Sequence, residues 1–255
     1  MLGCIPMKNI LDHILKQAEA FEADSLAKSE KTEASLCCVF DLDSTLFDLT
    51  DRKQQIMLSF LSHSNKAHLY PQEAELLKKI EIRRHEFGVS EALSRIGISR
   101  EKFSDFYKDL IAHWEHYFFH NDFIQYDLTY PGAVEYVQML SKLGTHIIYL
   151  TGRDEPRMMT GTLASLKAAG FPLDQKNVEV KLKPHKDFED HTFKLEYMKN
   201  LESRFQEIWL FENEPVNINI IEKYCLKTQF VFLDTNHSGR EQIGSHHYAI
   251  KDFRY

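Results

Sequence analysis

The sequence predicts an α/β fold, a parallel-sheet core into which an all-helical cap is inserted. Three observations predict it. A short, wholly apolar run, Leu36-Cys37-Cys38-Val39-Phe40, stops abruptly at Asp41, as a strand buried on both faces does. From about Thr50 to Phe123 the apolar residues recur at helical spacing, and no convincing strand interrupts them. From Tyr130-Pro131-Gly132 onward, helix and strand alternate, the pattern of a Rossmann-like sheet covered on both faces.

The elements follow in order. Ile10, Leu11, Ile14, Leu15, Ala18 and Phe21 form one stripe of an amphipathic helix from about Asn9 to Lys28, and polar Ser29 to Ser35 reads as a connector. The strand Leu36 to Phe40 comes next. In the helical stretch, Ile56, Leu58, Phe60 and Leu61 mark one helix, Leu76, Leu77 and Ile80 a second, and Phe103, Phe106, Leu110 and Ile111 a third. Beyond Tyr130 the pattern predicts helices at Val134–Leu143, Met158–Ala169, Phe193–Phe205 and Val216–Tyr224. Between them it predicts strands at Thr145–Leu150, Val178–Leu182, Glu207–Phe211 and Gln229–Leu233. The organisation expected is an N-terminal helix over 1–30, a core made of 31–48 and 130–255, and a helical cap over 49–129.

Composition bounds the function. Hydrophobic residues are 43% and charged residues 27% of the 255, enough apolar surface to rule out a largely disordered chain. No run reaches the 18 or so apolar residues of a membrane span. The 31 basic and 38 acidic residues give a net charge of −7, which argues against nucleic acid as partner, since that binding neutralises phosphates. Adjacent Cys37 and Cys38, with Cys4 and Cys225 remote, form neither a disulfide framework nor a zinc spacing. They read as reduced thiols, and with no apolar leader near Met1 the expected location is cytoplasmic. Met7 is an alternative natural start.

In an open parallel sheet, sites form beyond the carboxyl ends of the strands. Here four predicted strands end in polar or acidic residues: Asp41/Asp43, Thr151/Gly152/Arg153, Glu212/Asn213/Glu214 and Asp234. Turn and helix-cap chemistry is the ordinary reading of such residues one at a time. Their convergence at one sheet edge points instead to a site.

These residues resemble a known family. Asp41-Leu42-Asp43-Ser44-Thr45-Leu46 is similar to the DxDxT signature of the haloacid dehalogenase superfamily. Thr151, after Ile147-Ile148-Tyr149-Leu150, resembles its second motif, Lys194 its third-motif lysine, and Glu212-Asn213 its fourth-motif acidic pair. The resemblance implies a phosphohydrolase for a small phosphorylated metabolite, with Mg²⁺ as cofactor. Asp41 would be the nucleophile, Asp43 the general acid and base, and Thr151 and Lys194 the groups that hold the phosphoryl oxygens. Gly152 and Arg153 would contact substrate. The metal ligands implied are Asp41, Asp43 through its carbonyl, and Asn213, with Glu212 as the alternative. The chemistry is coherent, because a carboxylate and a phosphate repel each other and need a cation between them.

Glu212-Asn213 departs from the commoner Asp-Asp or Gly-Asp, which bears on metal affinity more than on fold. Asp43 argues against a dehalogenase and against the superfamily's ATPases. A phosphomutase, a nucleic-acid 3′-phosphatase and a non-catalytic binding protein on the same fold stay open. Lys183 is the second candidate for the lysine role. Arg153 reads equally as a phosphate-steering group or a surface ion pair. The Thr235–Arg240 loop follows a strand end and can border the site. His113, His116 and His120 have helical spacing suited either to a metal or to packing among Trp114, Tyr117 and Phe118. His246-His247 has no nameable partner.

Overall fold

The computed structural model describes residues 10–27 and 36–254. The connector at Ser29–Ser35, Cys4 and the two candidate starts lie outside them. The first helix is α1 (Ile10–Ala27), followed by β1 (Leu36–Phe40) and a two-residue strand β2 (Phe47–Asp48). Helices α2 (Thr50–His63), α3 (Pro71–Leu77), α4 (Ser90–Arg95), α5 (Ser104–Phe118) and α6 (Asn121–Ile124) make the insert. The chain returns through β3 (Leu128–Thr129) and then alternates: α7 (Ala133–Lys142), β4 (His146–Asp154), α8 (Glu155–Ala169), β5 (Val178–Lys183), α9 (Asp190–Leu201), β6 (Glu207–Glu212), α10 (Pro215–Glu222), β7 (Thr228–Leu233) and β8 (Tyr248–Ile250).

The sheet has the order β5-β4-β1-β6-β7-β8 and every pairing is parallel. Its central strand is β1, buried at all five residues, as its uninterrupted apolar run requires. Side chains alternate between two cores. Cys38, Phe40, Tyr149 and Trp209 pack with α1 and α7 on one face, and Cys37, Val39, Ile148 and Leu210 with α9 and α10 on the other.

The insert has an apolar core of its own around Met57, Phe60, Leu93, Phe106 and Leu110. Where the chain leaves for the insert and comes back, β2 and β3 pair antiparallel, Phe47 opposite Thr129. This small ribbon fixes both ends of the excursion, so α2 and α5 hang over the edge at which β1 ends.

Two readings need correction. The strand predicted at Thr145–Leu150 runs on to Asp154, with an irregularity in its pairing between Thr151 and Asp154, so Thr151, Gly152 and Arg153 belong to the strand itself. A sixth strand, β8, was not expected; three residues are too few to show a period-two pattern.

Candidate active site

The turn after β1 is folded tightly on itself. The Leu42 carbonyl accepts from the backbone N–H of Thr45, Leu46 and Phe47, and Ser44 sits in the left-handed region at φ 61°. A non-glycine residue seldom adopts that conformation. Here it turns the chain back on itself, so that Asp41 and Asp43 both line one cavity of about 770 Å³. Thr151, Gly152, Arg153, Lys194, Glu212 and Asn213 line the same cavity. Every site residue expected from sequence therefore meets in one place.

Of the two candidate lysines, Lys194 is the one beside Asp41. It comes from α9, is buried, and its ammonium lies 2.6 Å from Asp41 Oδ1 and 2.6 Å from Glu212 Oε2. Lys183 pairs with Asp190 at 2.5 Å instead. Burial first, and the Glu212 charge second, push the Asp41 carboxyl up to about 7 against the pull of Lys194. The Lys194 ammonium is itself buried, yet its two carboxylate neighbours outweigh that and hold its pKa above the usual lysine value.

Asp43 stands in a different field. Arg153 donates from Nε (3.0 Å) and from Nη2 to Asp43 Oδ1, and Arg52 Nη2 donates to the same oxygen at 2.9 Å. Asp127 closes the group, with Oδ2 2.7 Å from Arg153 Nη2 and Oδ1 2.8 Å from Arg52 Nε. Burial favours the neutral Asp43 acid, but the two guanidinium groups outweigh it and hold the carboxyl well below the usual range. Asp127 is buried more completely and is pushed up to about 6. Arg153 is thus a buried member of a four-residue ion cluster, not a surface pair.

The sequence reading missed Arg52 and Asp127. Arg52 lies in a charged helical turn that reads as solvated, and Asp127 precedes β3 with no local motif around it.

The fourth motif divides its work. Glu212 Oε1 accepts from the N–H groups of Asn213 (3.1 Å) and Glu214 (3.0 Å), while Oε2 accepts from Lys194. Both of its oxygens are engaged. Asn213 Nδ2 donates to the Asn236 carbonyl at 2.6 Å. A carbonyl only accepts, so this bond fixes the amide orientation and leaves Oδ1 facing the Thr45 hydroxyl at 3.3 Å. Asn236 in turn donates to the Glu86 carbonyl of the insert at 2.5 Å, which brings the Thr235–Arg240 loop to the border of the site.

Two buried carboxylates, Asp41 and Glu212, thus share one ammonium, beside an amide oxygen with a single long contact. That surplus of oxygen donors and negative charge fits a hard divalent cation.

The insert supplies the rest of the cavity wall: Phe87, Trp114, Phe118 and Phe119, with Lys53 among them. The Lys53 ammonium donates to the Glu86 and Phe87 carbonyls at 2.7 and 2.9 Å, and burial with Arg52 nearby lowers its pKa to about 8. The cap histidines pack rather than cluster on a metal. His113 is 2.8 Å from Ser59 Oγ, and the rings of His116 and His120 stack at 5.7 Å. Among the described residues, the groups of three His, Cys, Asp or Glu close enough to share an ion are Glu222, His246 and His247, and His85, Glu86 and Glu91, and neither includes these histidines.

A family model described as HAD superfamily, subfamily IIIB (acid phosphatase), matches residues 123–212, the span that carries Thr151, Arg153, Lys194 and Glu212. Over that span the chain is similar to the haloacid dehalogenase superfamily. The match supports a phosphatase-like hydrolase acting on phosphate esters.

Among solved structures, the haloacid dehalogenase fold recurs in a predicted phosphoglycolate phosphatase from Haemophilus somnus. That protein is 15% identical, covers 88% of this chain and 96% of its own, and superposes with a TM-score of 0.51. A candidate phosphatase from Clostridium difficile is similar at 15% identity, 83% and 90% coverage and a TM-score of 0.50. No curated protein matches the chain by sequence. No helix among the described residues is long and apolar enough to cross a membrane.

Proposed function

We propose that this chain is a Mg²⁺-dependent phosphatase of the haloacid dehalogenase superfamily that works through an aspartyl-phosphate on a small phosphorylated metabolite. The observation that carries the reading is the meeting of Asp41, Thr151 and Asn213 at the ends of three adjacent strands, with Lys194 between Asp41 and Glu212.

Asp41 is the nucleophile. It lies at the end of the central strand, and Oδ1 is held by Lys194. Attack of Asp41 on phosphorus forms the acyl-phosphate bond as the ester P–O bond breaks, and Asp43 gives a proton to the departing oxygen. Asp43 then takes a proton from water. The water attacks phosphorus, inorganic phosphate leaves, and Asp41 is restored. Thr151 and Lys194 hold the phosphoryl oxygens and balance their charge. Asp41, Asn213 and the Asp43 carbonyl are the residues suited to hold Mg²⁺, with Glu212 beside them. Bound there, the ion supplies the charge that lets carboxylate and phosphate approach.

The helical insert over 49–129 acts as a cap. It closes an aromatic wall over the phosphate site, and the cavity volume falls in the range of small-molecule pockets. Both features favour a compact substrate over a polymer. Free, buried Cys37, Cys38 and Cys225 support a reducing, cytoplasmic location.

Phosphate release from a panel of phosphorylated metabolites, with Mg²⁺ and with EDTA, tests the reading. Mass spectrometry of enzyme quenched in acid should show one phosphoryl group on Asp41. Turnover unaffected by EDTA, or phosphate carried on another residue, overturns it.

A further inference from the structure

Away from the cavity, the C-terminal loop carries a second group of chemistry-bearing side chains. Residue Glu222 ends α10, and His246 and His247 end the loop that leads into β8. The two imidazoles face the two oxygens of one carboxylate. His246 Nε2 is 2.7 Å from Glu222 Oε1, and His247 Nε2 is 3.5 Å from Oε2. One ligand atom from each of the three residues lies within 4.8 Å of the others.

We propose that Glu222, His246 and His247 form a binding site for a borderline transition-metal dication, Zn²⁺ being the best match. The site is separate from the active site.

Several features make it more than a chance meeting of surface groups. The His247 side chain is only 5% exposed and packs edge-on against Phe230 at 5.4 Å. Its Nε2 is buried and has no hydrogen-bond partner among the described residues. A buried ring nitrogen left unpaired carries a free-energy cost, and the facing carboxylate oxygen is too far to relieve it by a good hydrogen bond. An ion between them would relieve it. Tetrahedral bonds of about 2.1 Å set ligand atoms about 3.4 Å apart, close to the separation of His247 Nε2 and Glu222 Oε2.

Adjacent residues of an extended chain point to opposite sides, yet these two rings lie with centroids 4.0 Å apart. Gly244 makes room for the arrangement. A Cβ there would come within 2.5 Å of the His246 ring, and the Gly244 carbonyl accepts from His247 N–H to close the turn.

Two neutral imidazoles and one carboxylate select Zn²⁺ over Mg²⁺, which prefers oxygen ligands and retains its waters. The active-site donors, all oxygens, have the opposite preference. Three protein ligands leave a position for water, and the role assigned to the ion is to fasten the loop. The loop from Asp234 to His247 is long and has no regular structure. Near its start Asn236 holds Asn213 and Ser238 holds Glu214, while Asn219 of α10 donates to Glu241 Oε2 at 2.7 Å. An ion on Glu222, His246 and His247 pins the far end of the same loop to α10. That helix is eight residues long and spans about 12 Å, so the ion is set at the opposite end from the fourth motif.

Zn²⁺ binding to the full chain tests the proposal, measured by competition with a chromogenic chelator in excess Mg²⁺. One equivalent should bind the parent and Asp41→Asn alike. His246→Ala, His247→Ala and Glu222→Gln should each weaken binding at least tenfold. Zn²⁺ should also shift the His246 and His247 ring-nitrogen resonances. If His247→Ala fails to fold by circular dichroism, exposed His246 and the near-isosteric Glu222→Gln carry the test. Affinity unchanged within twofold in those variants, or loss of the equivalent in Asp41→Asn, overturns the proposal.

Discussion

Arg153 and Asp43 meet through a single carboxylate oxygen: Nε and Nη2 of Arg153 both donate to Oδ1, where Arg52 Nη2 also arrives. The guanidinium groups therefore fix the Asp43 side chain and keep it ionised, while Oδ2 takes no donor from them. In the proposed mechanism, an ionised Asp43 is ready for its second task, accepting a proton from water. Its first task, as acid, needs a proton, and a phosphate dianion beside it would favour one.

This arrangement predicts how Arg153→Met alters the pH profile. Loss of an opposite charge lets the Asp43 pKa rise by about 1–3 units. In the proposed mechanism, hydrolysis of the aspartyl-phosphate needs ionised Asp43, so its acid limb should move upward by a unit or more. Single-turnover dephosphorylation followed from about pH 2 upward, where the held-down carboxyl titrates, measures it, and an unmoved limb counts against the clamp. The variant also leaves Asp43 and Asp127 sharing one guanidinium, a loss of about 3–5 kcal/mol. Adding Asp127→Asn should recover much of that stability.

Removal of the divalent ion should abolish turnover, because Lys194 alone then faces the charges of Asp41, Glu212 and the phosphate. Asn213→Ala should raise the Mg²⁺ concentration for half-activity about tenfold or more. Glu212→Gln should raise it less, since both Glu212 oxygens are already taken by Lys194 and backbone N–H groups. A larger effect at Glu212 would make it the direct ligand.

Asp41 should be a source of instability in the absence of metal. Its folded carboxyl is pushed up to about 7, and an unfolded one titrates near about 4. Between those values the folded chain holds a proton that the unfolded chain has released. Stability from this group is therefore full at low pH and declines as pH rises toward 7. Asp41→Asn should remove the decline. In EDTA its melting temperature should match the parent near pH 4 and exceed it by several degrees at pH 8, a gain on the order of a few kcal/mol. Added Mg²⁺ should narrow the gap by stabilising the parent alone. A constant difference across pH would contradict the assignment of the proton to Asp41.

Much of this site was legible in the chain because it is built on strands. Asp41, Thr151 and Glu212 each follow an apolar run, and parallel strands bring their ends to one edge whatever the sequence distance between them. Lys194 was visible only by position in a motif order, as its helix face carries no periodic signal. Arg52 and Asp127 were not legible. Their meaning lies in a contact between the first helix of the insert and the residue before β3, and a charged side chain in a polar segment looks the same whether solvated or paired. His246 and His247 were noticed but unpartnered, because Glu222 reaches them only after α10 and the loop have folded against each other. The strand β8 escaped for a different reason: at three residues it is held by β7 and has little propensity of its own.

The two aspartates should separate by leaving group. Asp41→Asn should abolish turnover of every ester, since an amide is a poor nucleophile and a weaker ligand for a hard cation. Asp43→Asn keeps the nucleophile and loses the proton relay. An aryl phosphate has a low-pKa leaving group and scarcely needs the first proton, so it should still phosphorylate Asp41 in this variant. Hydrolysis of the acyl-phosphate should then be slow, because no carboxylate is present to accept the proton from water. The expected trace is a burst of about one phenolate per enzyme followed by a slow steady state. An alkyl phosphate leaves as an alkoxide that needs its proton, and should give little burst. General acid–base help is worth about 10²–10⁴-fold, so the contrast is well within reach of stopped-flow measurement. The arginine clamp sharpens the test. The amide introduced by Asp43→Asn offers the guanidinium groups no charge, so Arg52 and Arg153 should turn toward Asp127, and Asp43→Asn/Arg153→Met should lose less stability than the sum of the single changes. Equal loss on aryl and alkyl substrates, with no burst on either, would reject Asp43 as the proton carrier and leave Asp41 as the sole assigned catalytic aspartate.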